Sequence, residues 1–148
     1  MGRLHEDVYI TYKLLDRAQK FVYLDAPYYF YYQKNNNSIS NNYGKKNFLD
    51  EYNCIQQIQH YFALRNDIYD YVLVFSSYHY LFMLYRIGKQ HDKDIQTIKK
   101  AIKKWLFRNI PKLKLLSFSK RIKLYAGAIS PKFYMHMRRI KSKSKKDI

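Results

Sequence analysis

Residues 67–87 read DIYDYVLVFSSYHYLFMLYRI, and how this stretch is read decides the fold. From Tyr71 to Tyr85 no side chain is formally charged, a run of fifteen residues. A helix that spans a bilayer needs about 20 predominantly apolar residues, and Ser76, Ser77 and His79 interrupt this shorter run. The stretch therefore reads as a helix buried inside a protein core, with Gly88 ending it.

Working outward, the pattern on both sides is helical. Before it, residues 48–66 place Leu49, Tyr52, Ile55, Ile58 (or Gln59) and Phe62 at helical spacing. After it, residues 94–108 carry Ile95, Ile98, Ile102, Trp105 and Leu106 on one face and Lys99, Lys100, Lys103 and Lys104 on the other. Pro111 breaks the chain there, because proline disfavours helical geometry in the residue before it. Residues 117–126 and 131–140 are weaker helix candidates, and 141–148 form a lysine-serine tail. Toward the N-terminus a first helix begins near Glu6 or Asp7, with Val8, Tyr12, Leu15 and Gln19 on one stripe and Thr11 and Ala18 beside it. Phe21 to Leu24 and Tyr28 to Tyr32 read as short extended runs, separated by Pro27. The Asn-rich stretch 35–46 reads as a loop. The expected class is α+β, mostly α, with a short β element near 21–33. Three parts follow: 1–46, a helical region 47–140, and a basic tail 141–148.

At 148 residues one domain is the natural expectation, and 47% apolar residues with 17 Tyr and 9 Phe exclude a wholly disordered chain. Charge is unevenly placed. Through Asp92 there are 10 Lys or Arg against 9 Asp or Glu; from Lys93 on there are 18 against 2, which together give the net +17. The back half is thus a concentrated cation that calls for an anionic surface. Cys54 is the single cysteine, so no intramolecular disulfide forms and a reducing cytoplasmic setting fits. His5, Glu6 and Asp7 stand where a signal peptide needs an apolar run. With only 4 Gly, the common glycine-rich phosphate loops are excluded. No Ser-His-Asp arrangement or metal-ligand cluster is legible.

Five elements stand in order in the first forty residues: Glu6-Asp7, then Tyr12-Lys13-Leu14-Leu15, then Ala18 to Asp25 containing Phe21-Val22-Tyr23-Leu24-Asp25, then Pro27-Tyr28-Tyr29-Phe30-Tyr31, and finally Ser38-Ile39. This order resembles the end of the catalytic domain of bacterial family 2 glycosyltransferases, the GT-A-type enzymes that build capsules, exopolysaccharides and cell-surface glycans. The resemblance covers roughly residues 2–40; the rest is similar only to the variable helical region that often follows. It implies that 1–46 is the end of a glycosyltransferase catalytic domain and that the chain is a C-terminal fragment of such an enzyme, inactive without a donor-binding half.

By that resemblance Asp7 is the catalytic base. A sugar hydroxyl is a poor nucleophile until a carboxylate takes its proton, and attack from the face opposite the nucleotide diphosphate inverts the anomeric centre. Glu6 is implied to orient the helix start or contact the acceptor, His5 to approach the diphosphate or a metal, and Lys34 and Ser38 to close over the donor phosphates. Lys34 lies near a position where the family carries Arg, whereas Tyr32 departs from that pattern. The implied partners are a nucleotide-sugar donor and a glycan or lipid-linked acceptor. The implied cofactor is a divalent metal, Mg or Mn, held by an Asp-x-Asp motif that precedes the Glu-Asp pair. Asp92-Lys93-Asp94 follows the pair instead and sits at a helix start, where capping accounts for it.

A different class of function also fits the residues: a basic helical module in which Lys93 to Lys146, interleaved with Trp105, Phe107, Phe118 and Tyr125, binds an anionic membrane surface or nucleic acid. Nucleic acid is the weaker partner, since no recognised motif is present and Arg is scarce relative to Lys. Residues 94–108, with an apolar face and a lysine face, have the pattern of a helix lying in a bilayer interface. The expected location is cytoplasmic, peripheral on the inner face of the plasma membrane.

Overall fold

The computed structural model describes residues 6–20, 22 and 43–136. Of these, 81% are helical and none lies in a strand. The elements are α1 (Glu6–Arg17), α2 (Lys45–Tyr61), α3 (Asn66–Ile87), α4 (Lys93–Asn109), a 3-10 turn (Ile110–Lys112) and α5 (Phe118–Ile129). Residues 131–136 are helical as well. The mainly helical expectation holds. The β element expected near 21–33 and the tail 141–148 lie outside the described residues.

Local chemistry sets the helix ends. Asp92 caps α4: its Oδ1 accepts from the backbone N–H of Asp94 at 3.0 Å and of Ile95 at 3.2 Å. The Lys45 ammonium lies 2.7 Å from the carboxylates of both Asp92 and Asp94, tying the start of α2 to the start of α4. This clasp raises the Lys45 pKa, chiefly through the hydrogen bond to Asp92, and lowers that of Asp92 through the same bond. Gly88 stops α3 at φ +57°, a left-handed conformation that suits glycine. The Lys99 ammonium donates to the Gly88 carbonyl. Pro111, in the turn after α4, has no N–H to extend the helix.

Helix α3 is the hub and packs against α2, α4 and α5. Its Tyr80, Leu81 and Met83 are fully buried, together with Phe48 and Ile55 of α2, Ile95, Ile102 and Leu106 of α4, and Leu124 of α5. The Tyr80 and Trp105 rings meet edge to face with centroids 5.0 Å apart. A smaller cluster of Tyr9, Cys54, Ile58, Phe62 and Val72 holds α1 against α2.

Two details depart from the sequence reading. On α1 the buried residue is Tyr9, while Leu15 and Gln19 are exposed. Hydrogen bonds set the helix's rotation: the Tyr9 hydroxyl donates to the Asp50 carbonyl at 3.0 Å, and Asp16 accepts from Tyr61 and Arg65, each at 3.0 Å. On α4 the apolar face that resembles a bilayer-lying helix is occupied by the core, since Ile95, Ile102 and Leu106 are at most 1% exposed. Ile98 and Trp105 are partly buried against the same core.

Helix α5 approaches α3 closely at Gly127. A Cβ built there would lie 3.1 Å from Leu81 Cδ1 and 3.1 Å from Tyr134 Cβ, and Leu81 is fully buried with nowhere to move. Helix propensity alone favours alanine over glycine by about 1 kcal/mol, whereas overpacking costs about 1–3 kcal/mol. Gly127→Ala is therefore expected to lower unfolding stability by up to about 2 kcal/mol in urea titration; a gain would show that this contact is loose.

Candidate active-site groove

Asp7 lies in the first turn of α1 and its side chain is exposed. One carboxylate oxygen accepts from the Val8 N–H at 2.8 Å, and the Asp7 carbonyl accepts from the Thr11 hydroxyl at 2.6 Å. A carboxylate in a first turn is favoured by the positive end of the helix dipole. Asp7 stands on the lip of an open groove of about 370 Å³. Val8, Thr11, Tyr12 and Leu15 of α1 form one wall, Ile58 of α2 the floor, and Tyr71, Val72 and Phe75 of α3 the far wall. The lining is mostly apolar and aromatic. Tyr71 is 64% exposed and Phe75 37%, so both rings present area to whatever enters. Tyr12 anchors the near wall, edge-on to Tyr61 at 5.2 Å and Phe62 at 6.0 Å. Burial pushes the Tyr12 hydroxyl's pKa up, so it is a neutral hydrogen-bonding group.

Next to the groove lies a constellation that sequence reading missed. Glu51, whose side chain is only 12% exposed, sits 3.6 Å from His79 Nδ1 and accepts from the Tyr43 hydroxyl at 2.6 Å. Burial, then the Glu51 charge, raises the Tyr43 pKa, so Tyr43 remains a donor to the carboxylate. The Arg86 guanidinium lies 3.9 Å from the Tyr43 ring centroid. Glu51, Cys54 and His79 line a pocket of about 60 Å³ that shares Val8 and Phe75 with the groove. This space is too small for a sugar, so the group acts as a support for the groove wall. Phe75 and His79 stack with centroids 4.1 Å apart, which continues the aromatic wall along α3. No local signal marks the pair, because 28 residues separate Glu51 from His79 in sequence.

The sequence-predicted site residues are placed unevenly. Asp7 is on the groove. Glu6 opens α1 as a backbone position. His5, Lys34 and Ser38 lie outside the described residues. The aromatic wall near Asp7 is Tyr71 and Phe75, which sequence reading assigned only to the core helix. Among the described residues, no group of three or more His, Cys, Asp or Glu side chains is arranged to hold a metal ion. No helix among them is long and apolar enough to cross a membrane. No family model, curated protein or solved structure matches this chain.

Cys54 lines the small pocket beside the groove, 2% exposed, with burial as the main cause of a thiol pKa raised to about 11; the Glu51 and Asp7 charges add to it. At pH 8 roughly one thiol in a thousand is then ionised. Labelling by a thiol-specific disulfide reagent at pH 8 should be more than about 100-fold slower in the folded protein than in urea. Rapid labelling without denaturant would mean that the pocket around Cys54 opens.

Proposed function

We propose that the chain is the acceptor-side, C-terminal part of an inverting GT-A-type glycosyltransferase, and that Asp7 is its general base. The observation that carries this reading is an exposed carboxylate at a helix start, beside a groove whose far wall is aromatic. Sugar rings stack on such walls through their C–H faces, while a base must reach the attacking hydroxyl directly. The ordered sequence elements around Glu6-Asp7, Pro27 and Ser38-Ile39 support the same reading.

In this role the acceptor sugar lies in the groove against Tyr71 and Phe75, and its hydroxyl donates to the Asp7 carboxylate. As the hydroxyl oxygen bonds to the anomeric carbon of the donor, its proton passes to Asp7. The nucleoside diphosphate departs from the opposite face with the bonding electron pair, and the anomeric configuration inverts. The α1 first turn fixes the Asp7 backbone, which is what positioning a base demands. The hydrogen bond from the Val8 N–H leaves the second carboxylate oxygen for the substrate.

The family's divalent metal is a separate matter. The chain's one Asp-x-Asp sequence, Asp92-Lys93-Asp94, does not fit it: the Asp92 carboxylate caps α4, and both carboxylates are engaged by Lys45 at 2.7 Å. These residues tie the starts of α2 and α4 together. Donor binding belongs to residues other than those described.

The test is genetic and then kinetic. A nucleotide-binding half encoded beside this segment, expressed together with it, should give sugar transfer. Asp7→Asn should then lower turnover by about 10²- to 10⁴-fold, the usual worth of a general base, with donor affinity unchanged. Undiminished turnover in that variant removes Asp7 from the role.

A further inference from the structure

The side of α5 turned away from the core carries no charge. Phe118, Ile122 and Ile129 are 71%, 50% and 68% exposed, with Tyr125 half-buried among them. At 100° per residue these four fall within about 60° of one another. On the opposite side Leu124, Gly127 and Ala128 are buried. Helix α5 is thus apolar both inward and outward, whereas an outer helix of a water-soluble bundle presents polar residues outward. Phe107 of α4, 43% exposed, packs against Tyr125 with ring centroids 6.0 Å apart and widens the patch. Phe133, 52% exposed, follows just after the end of α5. Contiguous exposed apolar surface of this kind marks an interaction site.

Concentrated positive charge adjoins it. Ile129 also walls an open cleft of about 420 Å³ between the end of α3, α4 and the turn after α5. Lys89, Lys99, Lys100, Lys103 and Lys132 line that cleft, and no carboxylate does. None of the five takes part in an ion pair among the described residues. Burial, then the Lys103 charge, holds the Lys99 pKa below its usual value. Residues 95–146 contain 17 Lys or Arg and no Asp or Glu.

We propose that the outer side of α5, with the lysine cleft at its end, is a docking surface for an anionic phospholipid bilayer. Phe118, Ile122 and Ile129 enter the headgroup–acyl boundary, and the lysines face lipid phosphates. The two observations select this occupant together. A second copy would bring one +17 chain against another. Nucleic acid supplies phosphates but no apolar layer for the stripe. The surface is separate from Asp7: the groove meets α3 at Tyr71 to Phe75 and the cleft at Leu84 to Gly88, with no shared residue and about 13 Å between them along the helix.

Sedimentation of the full chain with vesicles tests this. Binding to phosphatidylcholine vesicles containing about 30% phosphatidylglycerol should exceed binding to phosphatidylcholine alone by more than about tenfold and fall as salt rises. The triple variant Phe118→Ser, Ile122→Ser, Ile129→Ser changes only exposed positions, and circular dichroism checks its fold. It should lose about tenfold or more of the binding at low salt. Lys100→Gln, Lys103→Gln and Lys132→Gln should each cost about fivefold. A tryptophan placed by Phe118→Trp should be quenched by brominated acyl chains. Unchanged binding by the triple serine variant overturns the proposal. So does a self-association that this variant abolishes, or a preference for duplex DNA or an acidic polypeptide that anionic vesicles fail to compete away.

Discussion

Helix α3 must hide one broad apolar side, and the other helices are arranged to hide it. Its Val72, Leu73, Tyr80, Leu81, Met83, Leu84 and Ile87 are all buried and fall on one half of its circumference at 100° per residue. Helices α2, α4 and α5 pack on α3, while Tyr71, Phe75 and Phe82 on the other half are 64%, 37% and 37% exposed. Of the two buried serines, Ser77 is satisfied locally. The Ser77 hydroxyl turns back to the Leu73 carbonyl at 2.8 Å, which satisfies it inside the helix's own backbone.

The covering is incomplete at places that matter. At the start of α3, the short helix α1 leaves Tyr71 and Phe75 partly open, and this opening is the groove beside Asp7. At the far end, α5 seals the core with Leu124 and Ala128 while keeping a second apolar side in water. One surface is neutral and aromatic with a carboxylate at its edge; the other is apolar and flanked by lysines. The division follows the charge distribution along the chain, since the acids lie almost wholly before Asp94 and the cations crowd after it. Carbohydrate chemistry suits the first surface, and contact with lipid phosphate suits the second.

Most of the fold was legible because the decisive signals are local. The uncharged run around Ser76 and Ser77, the turn at Gly88, the cap at Asp92 and the break at Pro111 each act within one helical turn. Helix α5 read weakly because apolar residues on two sides blur the periodicity that marks a helix. The rotation of α1 was misread at Leu15 for another reason. Its orientation is set by hydrogen bonds from Tyr9 to Asp50 and from Tyr61 and Arg65 to Asp16, pairs more than forty residues apart that no periodicity encodes. The role of Trp105 shows a related ambiguity: an apolar face with lysines opposite describes both a bilayer-lying helix and a wall of a protein core. In the fold the Trp105 ring packs edge to face on Tyr80. At the candidate site Asp7 was legible from its place in a Glu-Asp pair. Tyr71 and Phe75 were not, because only tertiary packing shows which side of α3 stays uncovered.

Amide hydrogen exchange in plain buffer tests the central role of α3 most directly. With the buried side of α3 packed under the other helices, the amides of Tyr80 to Leu84 should be the slowest in the protein. They should exchange at least about 100-fold more slowly than those of α1, which opens locally. If those amides exchange as fast as α1 and gain protection only when detergent or lipid is added, α3 is not the core of a helical bundle, and the account fails with it.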